Sequence, residues 1–321
     1  MRRAALIFNP AAGRADADLA WLTALLADRF ELSVFETSGG RDAGASARAA
    51  LEDGAELLIA AGGDGTVSMV AGAVSGRGVP LGVLPLGTSN SVAAALGIPG
   101  DEAGAIETIA SGRPRAIDTA IANGRTMLLH ASLGFHAEAV GQTSRDEKHR
   151  LGPLAYVKHG LSKLSELTPF DVQIETEREV IRCRATNVTV ANLAPTKTVL
   201  AQGPSAVDPR DGTVDVTIVA ASGLAEAVAT GLHLLESAVR GKPATRDNVG
   251  FLSASRVRIT ADPAQPILVD GEDAGSGELV VECRPRSVIV MLPPEADTSP
   301  RRAAAEEKLE GLPDLEVEPK P

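Results

Sequence analysis

The stretch LLIAAGGDGT at residues 57–66 decides the fold of this chain. Its apolar first half predicts a buried strand, and its three glycines predict a tight turn into a helix that begins near Val67. Glycines at such a turn let backbone N–H groups approach phosphate oxygens closely, and the start of the helix favours negative charge. Asp64 is the unusual member, because a carboxylate repels phosphate unless it acts through a metal ion, a sugar hydroxyl or a proton in transit. We therefore expect this turn to carry chemistry as well as binding.

Strand and helix signals alternate on both sides of this turn. The predicted strands lie at residues 4–8, 31–36, 56–61 and 81–84. One helix is predicted at 18–30, a second ends at residue 51, a third begins at residue 67 and a fourth, short helix ends at residue 96. This alternation predicts a doubly wound α/β domain with a parallel sheet, whose ligands bind beyond the carboxyl ends of the strands. Three turns, at residues 9–13, 62–66 and 86–90, then lie on that one edge.

From about residue 118 onward, short β-rich runs replace the alternation. They lie at residues 126–133, 170–175, 180–190, 212–219, 256–260, 267–269 and 278–283, and helical patterns interrupt them at 154–167 and 224–239. This pattern predicts a mostly antiparallel β domain, and a further strand at 287–292 fits either domain. We place the α/β domain at 1–118, the β-rich domain at 119–292 and a tail at 293–321. The tail is rich in Pro, Glu, Ala and Lys without a sustained apolar face, so we predict that it is disordered.

The composition excludes several classes of function. The 321 residues suffice for two domains and a sizeable core. A net charge of −11 and an aromatic content of 2% argue against nucleic-acid binding and against an electrostatic grip on membranes by the whole surface. Cys183 and Cys283 fit reduced core cysteines, and the five histidines show no metal-ligand spacing. No apolar run is long enough for a signal peptide or a membrane span, which predicts a cytoplasmic protein.

The turns of the α/β domain also have plain structural interpretations. The 62–66 turn lacks the lysine of a P-loop and the spacing of a dinucleotide fingerprint, so an ordinary strand-to-helix turn is one alternative. The turn that begins at Asn9 offers an amide and backbone N–H groups for phosphate or ribose, but it also fits a simple turn. Thr88 and Asn90 offer polar groups at the same edge, where helix capping is the alternative.

Three features of the second half have a similar ambiguity. VDGE at residues 269–272 fits a hairpin turn, but Glu272 is also a candidate general base if the fold brings it to a cleft. DPRDG at 208–212 fits a solvated hairpin or a site for a hard cation such as magnesium. The basic segment at 145–163 fits a charged helix face or a weak contact with anionic lipid.

Three motifs, in order, resemble those of the diacylglycerol-kinase catalytic-domain family, which includes bacterial lipid kinases, sphingosine kinases and ceramide kinases. They are NPAAG at 9–13, GGDGT at 62–66 and LPLGTSN at 84–90, and SLGF at 132–135, Asp211-Gly212 and VDGE add support. The resemblance spans residues 4–292. It implies a nucleotide-binding α/β domain, a β-sandwich-like domain and a cleft between them. The implied activity is an ATP-dependent lipid kinase, with diacylglycerol converted to phosphatidic acid as the default reaction.

The resemblance also implies roles for individual residues. Glu272 matches the proton acceptor, and Asp64 is a second catalytic candidate that would face Mg²⁺ on ATP directly or through water. Asp208, Asp211 and Thr213 match a separate, structural magnesium site. The expected ATP-binding residues are Asn9, Pro10, Ala11, Ala12, Gly13, Thr37, Gly62, Gly63, Asp64, Gly65, Thr66, Val67, Ser68, Gly87, Thr88 and Asn90.

One position departs from the family pattern. Many bacterial members have an aspartate directly after the asparagine of the third turn, where it supports a metal–water network, and this chain has Ser91. The departure keeps a catalytically silent nucleotide- or lipid-binding protein open, although Asp64 and Glu272 argue against it. An NAD kinase is the other alternative, because it shares the Asn-Pro and Gly-Gly-Asp-Gly themes. The expected partners are a lipid substrate at the inner face of the membrane, met transiently, and a second copy of the chain in a homodimer.

Overall fold

The computed structural model describes residues 1–12, 19–37, 43–134, 168–195, 207–221, 226, 229–230, 233, 246–294 and 307–320. The first part contains β1 (Arg3–Phe8), α1 (Leu19–Ala27), β2 (Glu31–Glu36), α2 (Ala43–Glu52), β3 (Leu57–Gly62), α3 (Asp64–Val74), β4 (Leu81–Pro85), α4 (Ser91–Ala95) and α5 (Glu102–Ser111). The second part contains β5 (Arg113–Ala122), β6 (Arg125–Met127), β7 (His130–Gly134), β8 (Phe170–Glu175), β9 (Glu179–Ala185), β10 (Asn187–Ala191), β11 (Val214–Val219), β12 (Val249–Ala254), β13 (Arg256–Asp262), β14 (Pro266–Val269), β15 (Glu272–Ser276), β16 (Leu279–Leu292) and β17 (Glu316–Pro319).

The first part is the predicted α/β domain. Strands β4, β3, β1 and β2 lie side by side in that order and pair in parallel. Every residue of β3 and of β4 is buried, as expected for strands covered by helices on both faces. The carboxyl ends of β1, β3 and β4 therefore meet at one edge of the sheet, where the three glycine-containing turns begin.

The second part is the predicted antiparallel β domain. A six-stranded sheet has the order β12-β11-β10-β7-β14-β15, and the larger sheet continues through β13, β8 and β9. One apolar cluster fills the space between the two sheets and includes Val188 of β10, Val216 of β11 and Val257 of β13. Cys183 and Cys283 are free and lie in the same cluster, and burial raises the pKa of each thiol to about 12. Both cysteines are therefore protonated core residues.

Strand β16 belongs to both domains. Its first half pairs with β13, and its second half pairs in parallel with β4 through Val290 and Leu81. Strand β5, which has no counterpart among the predicted runs, pairs with β16 along both halves. The register shifts between Arg284 and Val288, and Arg286 has a φ of 49°. This irregularity explains why the sequence showed two runs, 278–283 and 287–292, in place of one strand.

Two other predicted runs are divided in the structure. The run at 180–190 forms β9 and β10, which belong to different sheets, because the chain crosses over at Thr186, whose N–H bonds the carbonyl of Val219. The run at 126–133 forms β6 and β7, because the N–H groups of Leu128 and Leu129 bond the carboxylate of Asp270 and leave no strand ladder there.

Part of the tail is ordered, which corrects the prediction of disorder for 293–321. Strand β17 pairs with β9, and Lys308 forms a β-bridge with Phe251 of β12. Leu309 and Leu312 are buried in the cluster between the two sheets. The segment 307–320 therefore connects an edge of one sheet to an edge of the other. The buried leucines stabilise this attachment by the hydrophobic effect. The mostly charged and polar composition of the tail gave no sign of it.

Several predicted features lie outside the described residues. They are the helix at 154–167, most of the helix at 224–239, the basic segment at 145–163 and Gly13. Within the described ranges, the structure contains no helix of the length and apolar character that a membrane span requires.

Replacement of Leu312 tests whether the tail is part of the core. An added Cβ at Gly250 of β12 would lie 2.6 Å from a Leu312 methyl carbon, so the two elements are in close contact. Leu312→Ala is expected to lower the free energy of unfolding by about 2–5 kcal/mol, because it leaves a cavity. Urea unfolding measures the change, and Glu310→Ala, at an exposed position of the same segment, is the control. Equal stability of the two variants would show that the tail does not contribute to the core.

Candidate active site

The first and second turns are joined through Asn9. Its side-chain N–H donates to the Thr66 hydroxyl at 3.1 Å, and its side-chain oxygen accepts the N–H of Ala11 at 3.0 Å. Pro10 and Ala11 are exposed beside it, so the β1–α1 turn is open to solvent. Asn9 thus fixes the shape of its own turn and holds it against the start of α3.

The second and third turns pack directly on each other through glycines. An added Cβ at Gly87 would lie 2.5 Å from the Cα of Gly63, and one at Gly62 would lie 2.5 Å from the Thr66 hydroxyl. Such contacts are too short for real Cβ atoms, so a side chain at either position would clash. Glycine is needed at 87 for the third turn to pack on the second, and at 62 for Thr66 to lie against the second turn. The sequence predicted a tight turn and phosphate binding from these glycines, but gave no signal for the packing of one turn on the other.

Asp64 holds the third turn. Its two carboxylate oxygens accept the backbone N–H groups of Ser91 and Val92 at 3.0 and 2.9 Å. These are the first two residues of α4, so Asp64 caps that helix from a distance. Asn90, the residue before the helix, makes no side-chain cap bond. Asp64 therefore has a structural role, to hold the start of α4, which the sequence did not indicate.

The other polar groups of this edge have separate positions. Asn90 has a φ of 49° and closes the third turn on itself, because its side chain bonds both the N–H and the carbonyl of Gly87. Thr88 is exposed at the tip of that turn. Thr37 is buried at the end of β2, and its N–H bonds the carbonyl of Phe8. Thr88 is therefore available to a ligand, whereas Thr37 is largely enclosed.

The VDGE motif is a hairpin turn and also lines a cleft. Val269 pairs with Glu272 across β14 and β15, and the turn residues Asp270 and Gly271 have φ values of 47° and 85°. Two positive φ values are characteristic of a two-residue type I′ turn. A carboxylate oxygen of Glu272 lies 3.1 Å from where a Cβ of Gly65 would be. The fold therefore brings Glu272 of the second domain to the second glycine turn of the first.

Asp270 lies inside the same junction. Its carboxylate accepts hydrogen bonds from the Ser68 hydroxyl and from the backbone N–H groups of Leu128, Leu129 and His130, at 2.7 to 3.1 Å. Burial raises the pKa of Asp270, while the hydrogen bonds from Leu128, Ser68 and Leu129 oppose the rise. The hydroxyl of Ser68 donates to Asp270, and the expected contact of Ser68 with the nucleotide stays a prediction.

A cleft of about 320 Å³ separates the two domains at this point. Gly65, Ser68, Asp270 and Glu272 line it, together with Arg48 of α2 and Arg125 of β6. The two arginines give the cleft positive charge on its exposed rim. Neither arginine belongs to a sequence motif, and only the fold places them beside the cleft.

His130 is a third residue at this junction that belongs to no sequence motif. Burial lowers the pKa of its imidazole, and the nearby carboxylates of Asp270 and Asp64 oppose that shift. The neutral form is therefore favoured at neutral pH. His130 lies at the start of β7, near the carboxylates of Asp270 and Asp64, and the spacing of the histidines in the sequence does not indicate this position.

The three predicted ligands of a structural magnesium ion lie in one turn before β11. Asp208 accepts a bond from Arg210, and one oxygen of Asp211 accepts both the N–H and the hydroxyl of Thr213. Buried Asp118 lies next to them: burial raises its pKa, and the charges of Asp211 and Asp208 add to the rise. A cation would relieve this repulsion. Within the described ranges, however, no three acidic, histidine or cysteine side chains are close enough to hold a metal by themselves. The magnesium site stays a prediction.

Two family models match the chain. The model of the diacylglycerol kinase catalytic domain matches residues 3–122, and that of the YegS C-terminal NAD kinase beta sandwich-like domain matches residues 130–292. An uncharacterized protein of Synechocystis sp. is 35% identical over 303 residues, which cover 90% of this chain and 70% of that protein. The diacylglycerol kinase of Bacillus subtilis is 32% identical over 293 residues, which cover 87% of this chain and 93% of that protein.

A solved structure has the same fold. The crystal structure of a diacylglycerol kinase from Bacillus anthracis superposes with a TM-score of 0.69 at 21% identity and covers 92% of this chain and 98% of that chain. The predicted combination of an α/β domain with a β-sandwich domain is thereby confirmed. These domains and their cleft define an ATP-dependent kinase that phosphorylates a hydroxyl group. The chain belongs to the diacylglycerol kinase family, as the sequence motifs predicted.

Replacement of Gly87 tests whether the contact between the turns shapes the nucleotide site. Gly87→Ala is expected to weaken ATP binding by about 10-fold or more, roughly 1.4 kcal/mol, because the methyl group would push the second and third turns apart. Isothermal titration with a non-hydrolysable ATP analogue measures the affinity. The control is Gly100→Ala, because an added Cβ there meets no heavy atom within 4 Å. Equal affinity for both variants would contradict this role.

Proposed function

We propose that this protein transfers the γ-phosphate of ATP to the hydroxyl group of a lipid, with diacylglycerol as the first candidate. The observation that carries the proposal is the position of Glu272, whose carboxylate faces Gly65 across the cleft between the domains. A carboxylate beside a phosphate-binding turn fits the acceptor of a hydroxyl proton. The candidate lipid follows from the kinase of Bacillus subtilis named above.

Phosphoryl transfer needs alignment, neutralisation of phosphate charge and a path for the proton of the acceptor. In the proposed step the lipid oxygen forms a bond to the γ-phosphorus, the bond to the β-phosphate oxygen breaks and ADP leaves. Glu272 takes the hydroxyl proton. Its side chain is exposed to the cleft, whereas both oxygens of Asp64 already accept N–H groups of α4. Glu272 is therefore the better placed proton acceptor of the two.

The nucleotide would lie over the three turns. The backbone N–H groups at the start of α3 and the hydroxyl of exposed Thr88 are suited to phosphate oxygens. Arg48 of the first domain and Arg125 of the second would add positive charge at the rim of the cleft. Mg²⁺ carried by ATP would neutralise phosphate charge, and Asp64 is the acidic group of the turns that would face it, directly or through water. A second Mg²⁺ at Asp208, Asp211 and Thr213 would be structural.

The acceptor hydroxyl belongs to a lipid that is present at a membrane surface. Transient, peripheral contact with the inner face of the membrane fits this substrate, and so does a cytoplasmic location. The second proposed partner is another copy of the chain, in a homodimer. The alternative acceptor is NAD, because the second family model is named for an NAD kinase-like β-sandwich.

Replacement of Glu272 tests the proposed chemistry. Glu272→Gln is expected to lower kcat by about 10²–10⁴-fold with little change in KM for ATP, because it removes the proton acceptor and keeps the shape. ATP consumption is measured with diacylglycerol, monoacylglycerol, a sphingoid base and an isoprenoid alcohol in mixed micelles, with NAD as a parallel acceptor. Glu278→Gln is the control, an exposed glutamate near the same hairpin.

Wild-type turnover in Glu272→Gln would refute the proton acceptor assignment. Transfer to NAD alone would move the activity to the NAD kinases, and binding of ATP without transfer to any acceptor would favour a silent binding protein. Asp64→Asn is expected to change both kcat and KM for ATP, because it alters the charge and also the cap of α4.

Replacement of Ser91 by aspartate tests whether the departure from the family pattern weakens the use of Mg²⁺. The side chain at this position is on the first residue of α4, whose N–H bonds Asp64. Ser91→Asp places a second carboxylate beside the expected metal and is also favoured at a helix start. We expect it to lower the Mg²⁺ concentration needed for half-maximal turnover. Ser89→Asp, exposed in the same turn, is the control, and an unchanged Mg²⁺ dependence of Ser91→Asp would contradict the expectation.

A further inference from the structure

Asp270 lines the cleft but takes no part in the proposed chemistry. None of its four hydrogen-bond donors belongs to its own hairpin. Ser68 is on α3 of the first domain, and Leu128, Leu129 and His130 lie at the crossover from β6 to β7. The side chain of Asp270 therefore binds the β14–β15 turn both to the helix of the second glycine turn and to the crossover.

Because the turn is short, the bonds that hold Asp270 also restrict the position of Glu272. Asp270 and Gly271 are the only two residues of the turn, since Val269 and Glu272 already pair as strand residues. The Asp270 N–H also donates to the carbonyl of His130 at 2.9 Å. With both its backbone and its side chain held, Asp270 leaves the first residue of β15 little freedom to move.

We propose that Asp270 is a positioning residue, which keeps the carboxylate of Glu272 opposite Gly65 by anchoring the turn to α3 and to the crossover at 128–130. The inference rests on the proposed function, because Asp270 acts through Glu272. A proton acceptor must lie within hydrogen-bond distance of its hydroxyl, and a misplacement of about 1 Å costs about 10²-fold in rate.

The chemistry of the site explains why the residue is an aspartate. Each carboxylate oxygen accepts two bonds, and all four partners act as donors. An ionised carboxylate has acceptor capacity for such a set, whereas an asparagine of the same shape has one oxygen and turns an NH₂ group toward two of the donors. Asp270→Asn therefore releases the anchoring and keeps the side-chain volume.

A double-mutant cycle tests this inference. Asp270→Asn is expected to lower kcat with the lipid acceptor by about 10–100-fold while KM for ATP stays within about 2-fold. In the Glu272→Gln background the same change is expected to alter kcat by less than about 3-fold, because the group that it positions is gone. A loss of the same factor in both backgrounds would overturn the inference, and so would wild-type kcat in Asp270→Asn.

Matched variants separate positioning from loss of stability. Asp215→Asn alters another buried aspartate that accepts a serine hydroxyl, Ser253, and does not line the cleft, so its kcat is expected to match that of the wild type. Its loss of kcat to the extent seen in Asp270→Asn would assign the effect to stability and overturn the inference.

Ser68→Ala is the second test, for use if Asp270→Asn fails to fold. It removes one of the four bonds, so it is expected to lower kcat by a smaller factor, and only when Glu272 is present. Ser46→Ala is its control, because the Ser46 hydroxyl is buried on α2 and has no hydrogen-bond partner within the described part of the chain. Wild-type kcat in Ser68→Ala would count against the inference. Wild-type kcat in Glu272→Gln would instead refute the proposed function itself, so the two failures are distinguishable.

Discussion

The hydrogen bonding of strand β16 to both domains is the constraint on which the rest of the structure depends. One continuous strand pairs with β13 of the β domain, with β4 of the α/β domain and with β5 along both halves. Because a strand transmits position through its backbone bonds, the two domains cannot turn freely about a linker. The cleft therefore lies across a strand that the two domains share, and the β14–β15 hairpin brings the carboxylate of Glu272 beside Gly65 of the other domain.

Within this frame, carboxylates serve mainly as acceptors of backbone N–H groups. Asp64 accepts two N–H groups of α4, Asp118 accepts those of Gly212 and Arg286, and Asp270 accepts three. Such bonds satisfy buried donors where the chain leaves regular secondary structure. Glu272 differs because it is exposed to the cleft. Glu272 is therefore available for chemistry, whereas the three aspartates hold the backbone of the site in place. The sequence alone does not show which acidic residue has which role.

The predictions from sequence succeeded where the signal is local. The apolar run and glycines at 57–66 indicated β3 and α3, because a buried strand and a tight turn impose their composition on consecutive residues. The bond of Asp64 to Ser91 spans 27 positions, and that of Ser68 to Asp270 spans 202, so neither has a local pattern. The division of 180–190 between two sheets was missed for the same reason, because strand composition does not record the partner.

The pairing of β17 in the tail with β9 affects how the whole molecule meets other chains. Without β17, strand β9 would be the border of the large sheet, with a row of unpaired N–H and carbonyl groups that invites other chains to add a strand. The tail occupies this edge and replaces it with a short border made of Glu316, Val317, Glu318 and Pro319, in which two residues are acidic and the proline has no N–H to offer. If proteolysis removed this segment, the N–H and carbonyl groups along the edge of β9 would be exposed to other chains. Strand β17 therefore protects the large sheet from self-association and aggregation through this edge.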